Sequence, residues 1–281
     1  MWPLLAGALV AFVATGVYAA LAERVGFGDR GVGEEAARKL QARAVPPVGG
    51  LAVATSYWIV GAPGASAHAL PAWFASPSSI AWALFAALLL GVLDDLLPRG
   101  LTPAWKLGGQ LFAGVVLAAP TWGQLEPLPA LGWTVAGALG AALSCNLWNT
   151  FDNADGAAGG LCGTGLCVLG LPAGAAVLGF LPWNLVLRRS GEVRAYLGDG
   201  GSHLLGMTVL VEPAAWPLAV LPALDLARVS ILRFAAGQPP WVGDRRHLAH
   251  ALQRRGLGPL AVCGVLVALG LLPLLPALLR G

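Results

Sequence analysis

Apolar blocks long enough to cross a bilayer recur along this chain, and nothing else in it restricts the fold as strongly. About 20 apolar residues span the hydrocarbon core as a helix, whose backbone polar groups are all satisfied internally. The first block, within MWPLLAGALVAFVATGVYAALAERVG, spans about residues 3–22; others lie near 49–69, 77–93, 131–148 and 258–279, and one more leaves from Lys106. Of the 281 residues, 57% are hydrophobic and 11% charged, against about 25% charged in soluble domains. The pattern predicts an all-α, polytopic membrane helix bundle of about 8–10 crossings, with 1–281 as a single transmembrane domain. The first block has no basic stretch before it, so it is expected to be a retained span and not a cleaved signal peptide.

Charge sets the orientation. Lys and Arg fall at 24–43, 99–106, 188–194, 228–233 and 245–255, with only Arg280 elsewhere. The positive-inside rule makes those five segments cytoplasmic. HALPAWFASPSS and TWGQLEPLPALG are then outer turns. Residues 159–184 and 202–227 must each leave and return to the basic side, yet two full spans need about 40 residues. Each has proline near its middle, so both are expected to be short hairpins. Cys145, Cys162, Cys167 and Cys263 lie in apolar sequence without metal-ligand spacing and are expected as small core residues.

Of fourteen acids, nearly all fall at the cytoplasmic edge or its loops; Glu126 and Glu212 are the exceptions. GVLDDLLPRG puts Asp94 and Asp95 side by side at the end of a span, and LTPAWKLGGQ follows. There Lys106 and Gln110 share a helix face, and Lys106 either neutralises a phosphate or marks the membrane interface. In NLWNTFDNADGAAGG, Asn146, Asn149, Asp152 and Asp155 step by three, which would stack them on one side of a helical turn. Their amides and carboxylates suit a nucleobase and sugar hydroxyls. YLGDGGSHLLG sets Asp199 between glycines at the start of a hairpin, either near a phosphate or as a plain helix cap. GDRRHLAHALQRRG carries Asp244, Arg245, His247 and His250, which suit a substrate anion or a headgroup surface. His68 and His203 are expected to be structural. Carboxylates without thiolates suggest Mg²⁺, which takes carboxylates together with substrate phosphates.

Five motifs in order then resemble the polyprenyl-phosphate N-acetylhexosamine-1-phosphate transferases. RKLQARAVPPVGGLAV is similar to that family's first cytoplasmic loop, and GVLDDLLPRGLTPAWKLGGQ to its acidic pair with Lys and Gln. NLWNTFDNADGAAGG matches its Asn-x-x-Asn-x-x-Asp-x-x-Asp-Gly pattern. GFLPWN followed by YLGDGGSHLLG matches its third acidic motif, and DRRHLAH resembles its His-rich last loop. Together they cover most of residues 38–256. The chain departs from the family pattern at Gln41, Asn153 and Ala249. The last loop lacks the triple-His pattern of the peptidoglycan-precursor branch, so an N-acetylglucosamine-type donor is expected.

The resemblance implies transfer of a sugar-1-phosphate from a UDP-sugar to a polyprenyl (undecaprenyl) phosphate, with release of UMP, at the cytoplasmic face of a bacterial inner membrane. It implies catalytic Asp94, Asp95 and Asp199, with Mg²⁺ (Mn²⁺ as the alternative ion) on Asp199 and Asp95. Asp94 or Asp95 would accept or orient the lipid phosphate, and which of them does so stays open. Asn149, Asp152 and Asp155 would face the nucleoside, His247 and His250 the sugar-phosphate, and Lys39, Lys106, Asn146, Gly156, Asp244 and Arg245 would complete the substrate-binding set. Membrane lipid and a homodimer partner are compatible with this; nucleic acid is not expected. Two other readings compete. A transporter would scatter its polar residues toward mid-membrane, and a paralogue without turnover would bind donor and release no UMP.

Overall fold

The structure, a computed structural model, describes residues 2–28, 44–61, 70–189, 191–238 and 246–279. Helix α1 (Trp2–Arg24) shows the logic of the whole bundle. Its buried residues are small and spaced by three and four: Gly7, Ala11, Thr15, Ala19 and Ala22. Leu5, Leu9, Val13, Val17 and Leu21 form an exposed stripe. In water that arrangement would be inside out. In lipid, small residues let helices approach closely while large apolar ones meet acyl chains.

The span expected over 49–69 is helical as α2 (Gly49–Val60), and residues 62–69 lie outside the described residues. Helix α3 (Pro77–Leu96) opens with a reciprocal cap. The Ser79 amide donates to the Ser76 hydroxyl, Ser79 Oγ accepts from the Ser76 amide, and Pro77 fills the first helical position,. Helices α4 (Pro103–Leu117), α5 (Thr121–Gln124) and α6 (Pro127–Phe151) follow. α1, α3 and α6 are each long and apolar enough to cross a membrane. Trp73, in the first expected outer turn, packs edge-on against Trp133 near the second, with ring centroids 5.1 Å apart. The two turns therefore share one end of the bundle.

The expected hairpin at 159–184 is present as α7 (Ala157–Val168) and α8 (Ala173–Leu185), packed arm against arm. A two-stranded ribbon, β1 (Arg188–Arg189) with β2 (Glu192–Val193), follows it. The second hairpin is also present, with its arms apart. α9 (Gly198–Val211) enters, a 3-10 turn (Pro213–Ala219) holds Pro213 and Pro217, and α10 (Val220–Ala235) returns. Its arms barely touch, because the faces of α9 are already taken by α3, α6 and α2, and α10 packs on α6 instead. α11 (Leu248–Arg254) and α12 (Pro259–Leu271) come next. The last expected span breaks at Pro273, in a short 3-10 turn (Leu272–Leu274) before α13 (Leu275–Leu278), since proline cannot donate the helix bond.

α9 is the central element, buried from Gly200 to Val209 without interruption. Glycine makes this possible. A Cβ on Gly91 of α3 would overlap the Asp199–Gly200 peptide, and one on Gly50 of α2 would overlap Gly201. Hydroxyls then join the helices: Ser144 Oγ donates to the Gly206 carbonyl (2.8 Å), and Ser79 Oγ to that of Leu117 (3.0 Å).

Candidate active site

Four helix ends meet at the basic edge of the bundle. Asp94 and Asp95 occupy the last turn of α3, Lys106 the first turn of α4, Asn149 the last turn of α6 and Asp199 the first turn of α9. The α3–α4 turn keeps its shape through Gly100, at φ +62°, and a bond of 2.7 Å from the Leu101 amide to Asp94 Oδ1. Asp94 Oδ2 is thereby turned toward Lys106 Nζ, 3.0 Å away. The same ammonium pairs with Asp199 Oδ2. Asn149 Nδ2 donates to Asp199 Oδ1 (2.8 Å) and to Ser202 Oγ (3.0 Å). Both oxygens of Asp199 are thus fixed.

The two neighbouring aspartates do different work. Asp95 accepts the Asp199 amide on Oδ1 (3.0 Å) and the Gly200 amide on Oδ2 (3.1 Å). It binds the free N–H groups that open α9, where a carboxylate is favoured by the helix dipole. Gly198 turns the chain into this contact at φ +76°. Asp95→Ala should therefore lower stability by about 2 kcal/mol or more, because hydrogen bonds to a charged group are worth about 1.5–3 kcal/mol. Thermal unfolding in detergent measures it, with Asp94→Ala as the milder comparison.

The helical stacking expected for Asn146 through Asp155 holds only as far as Asn149. α6 ends at Phe151, Asp152 is its C-cap, and Asp155 lies in the turn beyond, paired with Arg188 at 3.3 Å. The turn exists because Gly156, at φ +75°, can take a left-handed conformation,. Gly156 is buried: its amide donates to Asn184 Oδ1 (2.8 Å) and its carbonyl accepts from Cys263 Sγ (3.2 Å). Asp152 makes no side-chain hydrogen bond among the described residues. Burial pushes its carboxyl up to about 8, with the charges of Asp199, Asp155 and Asp95 adding to the effect. A carboxyl poised near neutral pH can exchange a proton with a ligand. Burial also raises Asp155, and Arg188 opposes that rise.

Behind these groups a polar column runs into the bundle. Asn146 Nδ2 donates to Gln110 Oε1 (2.6 Å), and Gln110 Nε2 meets His203 Nε2 (3.1 Å). Gln110 and His203 are fully buried, in keeping with the structural role expected for His203. His247 is buried against Asp225, and His250 bonds Gln253; among the described residues no hydrogen bond or ion pair joins either histidine to the carboxylate cluster. Lys39, Asp244 and Arg245 lie outside the described residues. Ser202, Asn184 and Asp225 are engaged at or near the edge without having been singled out from the sequence. Only Asp225 left a legible signal there, an acid inside an apolar run.

The end of the first motif also reaches the site. The Tyr196 amide donates to the Pro46 carbonyl, and the Gly49 and Gly50 amides donate to the Tyr196 and Leu197 carbonyls (2.9–3.0 Å). These bonds hold the start of α2 against the start of α9. The chain is accordingly a polytopic helical membrane protein with an acidic, lysine-bridged cluster at one bilayer edge.

Residues 78–213, which contain that cluster, match the profile of glycosyl transferase family 4. This match supports placing the chain in that family. It is similar to an undecaprenyl-phosphate alpha-N-acetylglucosaminyl 1-phosphate transferase of Thermotoga maritima, 25% identical over 268 residues, covering 88% of this chain and 80% of that protein. It is also similar to a decaprenyl-phosphate N-acetylglucosaminephosphotransferase of Mycolicibacterium smegmatis, 25% identical over 317 residues, with 90% and 75% covered. A protein of Streptomyces coelicolor described as a glycosyltransferase is 31% identical over 264 residues; the match covers 81% of this chain and spans 58% of that protein.

Proposed function

We propose that this protein transfers N-acetylglucosamine-1-phosphate from a UDP-sugar to a polyprenyl phosphate at the cytoplasmic face of a bacterial inner membrane, releasing UMP. The observation that carries the proposal is the convergence of Asp94, Lys106, Asn149 and Asp199 from four helix ends. The names of the relatives supply the substrate class. The lipid phosphate oxygen would attack the sugar-linked phosphorus, the bond from that phosphorus to the oxygen retained by UMP would break, and a lipid-linked diphosphate sugar would form. Two anions must meet, so positive charge has to sit between them. Lys106 is the cationic side chain within the cluster. Asp152, without a hydrogen-bond partner among the described residues, is suited to the nucleoside. Asp94 is placed to orient the lipid phosphate beside Lys106, while Asp95 keeps α9 in position.

The donor set fits Mg²⁺, with Mn²⁺ as the alternative. Asp94 Oδ2 and Asp199 Oδ2 already converge on one cation, the Lys106 ammonium. Among the described residues no group of three His, Cys, Asp or Glu side chains forms a protein cage. Mg²⁺ commonly uses one or two carboxylates and completes its shell with water and phosphate oxygens. Asp199, with Asp94 or Asp95, would hold it, and the bound ion would neutralise charge developing on the transferring phosphoryl group.

Protein in lipid nanodiscs with UDP-N-acetylglucosamine, undecaprenyl phosphate and Mg²⁺ should release UMP. Excess EDTA should abolish release, and added Mg²⁺ should restore it. Donor binding without UMP release would instead favour the paralogue without turnover. The transporter reading is disfavoured by the clustering of Asp94, Asp95 and Asp199, which a carrier pathway would spread along its length.

A further inference from the structure

Asp225 is an acid in the middle of the apolar run VLPALDLARV, and burying an unpaired carboxylate there would be costly. It is 4% exposed, as is His247, which is 22 residues away in sequence and on a different element. Asp225 Oδ2 lies 2.8 Å from His247 Nδ1, and Oδ1 accepts from the Leu248 amide (2.9 Å) and from Arg228 (3.0 Å). Arg228 in turn donates to the Arg246 carbonyl. One carboxylate on α10 therefore grips the imidazole and the first free amide of α11 together.

The grip has a chemical consequence. Ionised Asp225 can only accept, so the proton it binds must sit on His247 Nδ1. In the neutral ring this fixes Nε2 as a lone-pair acceptor and fixes the plane of the ring. His247 Nε2 makes no hydrogen bond among the described residues. A ring gripped on one side, with no partner on the other among the described residues, is arranged to meet a ligand. A bland interhelical clasp would need only the carboxylate, the Leu248 amide and Arg228.

We propose that Asp225 is a positioning residue: it holds His247 so that Nε2 accepts a hydrogen bond from the sugar end of the nucleotide-sugar donor. This rests on the function proposed above, and it adds to that function a residue acting through His247. Asparagine at 247 places its amide nitrogen where Nδ1 stood, so His247→Asn keeps the bond to Asp225 and removes only Nε2. Asp225→Asn keeps an acceptor for Leu248 and turns a donor toward Nδ1, which moves the ring proton to Nε2 and removes its acceptor,.

The test is a double-mutant cycle on the full chain in nanodiscs. Equilibrium binding of UDP-N-acetylglucosamine, UMP release and thermal unfolding are measured for wild type, Asp225→Asn, His247→Asn and the double variant. His247→Asn should unfold within a few degrees of wild type and bind donor about tenfold more weakly, the scale of one lost hydrogen bond. Asp225→Asn should weaken donor binding on the wild-type background but not on the His247→Asn background, because coupled residues are non-additive. A purely structural clasp would give equal Asp225→Asn losses on both backgrounds, and that would overturn the proposal. So would donor binding by His247→Asn at wild-type strength, or no donor binding by wild type. If wild type binds donor and releases no UMP, the transferase reading fails, and the binding cycle still decides the role of Asp225.

Discussion

Asp199→Asn should lower the rate of UMP release by about 10³-fold while the protein stays folded. Losses of about 10²–10³ follow removal of one preorganised electrostatic group in other enzymes, and Asp199 serves two such purposes. It supplies an oxygen to the cation position shared with Asp94, and it fixes Asn149 through Oδ1. Asparagine preserves shape and one acceptor but leaves the Lys106 ammonium with Asp94 alone. Folding should survive, because the clamp of Asp95 on α9 uses the backbone amides of residues 199 and 200 and not the Asp199 side chain. Initial rates at saturating UDP-N-acetylglucosamine, with unfolding temperature in parallel, make the check. A variant retaining the wild-type rate would remove Asp199 from the mechanism.

Gly91→Val should disable the enzyme from a position that carries no chemistry. Gly91 is one turn before Asp94 and Asp95, and any side chain there would overlap the Asp199–Gly200 peptide. α3 and α9 make the most extensive helix pair in the bundle. Their backbones cannot yield locally, so the helices must separate, and overpacking of this kind costs about 1–3 kcal/mol. The separation also pulls Asp94 and Asp95 away from Asp199, and a displacement of about 1 Å costs on the order of 10²-fold in rate. Gly108→Ala, on α4 with open space around its Cβ, should match wild type in both unfolding and UMP release. Full activity in Gly91→Val would show that the α3–α9 contact does not set the site.

The class of fold was legible because hydrocarbon leaves so few options. A chain of spanning-length apolar blocks must form helices, and the basic clusters give their direction. The hairpin of α7 and α8 was readable from its shortage of residues. The packing of the second hairpin was not legible. Length and proline foretold the reversal, but nothing local shows that the partners of α9 come from three other helices. The extent of the stacked turn was misjudged for a similar reason: a spacing of three continues in sequence after the helix has ended at Phe151.

Sequence by itself determined the membrane setting, the edge at which acids and bases gather, and the residue types available for phosphate chemistry. These follow from composition and order, and each residue contributes to them alone. Only tertiary structure decided the division of labour among the acids. Asp94 and Asp95 are adjacent and chemically identical, yet one faces Lys106 and the other caps α9. Successive residues on a helix point about 100° apart, so the partner each one meets depends on which helix packs on that side. That packing is set by glycines at 50, 91 and 201, far from one another in sequence.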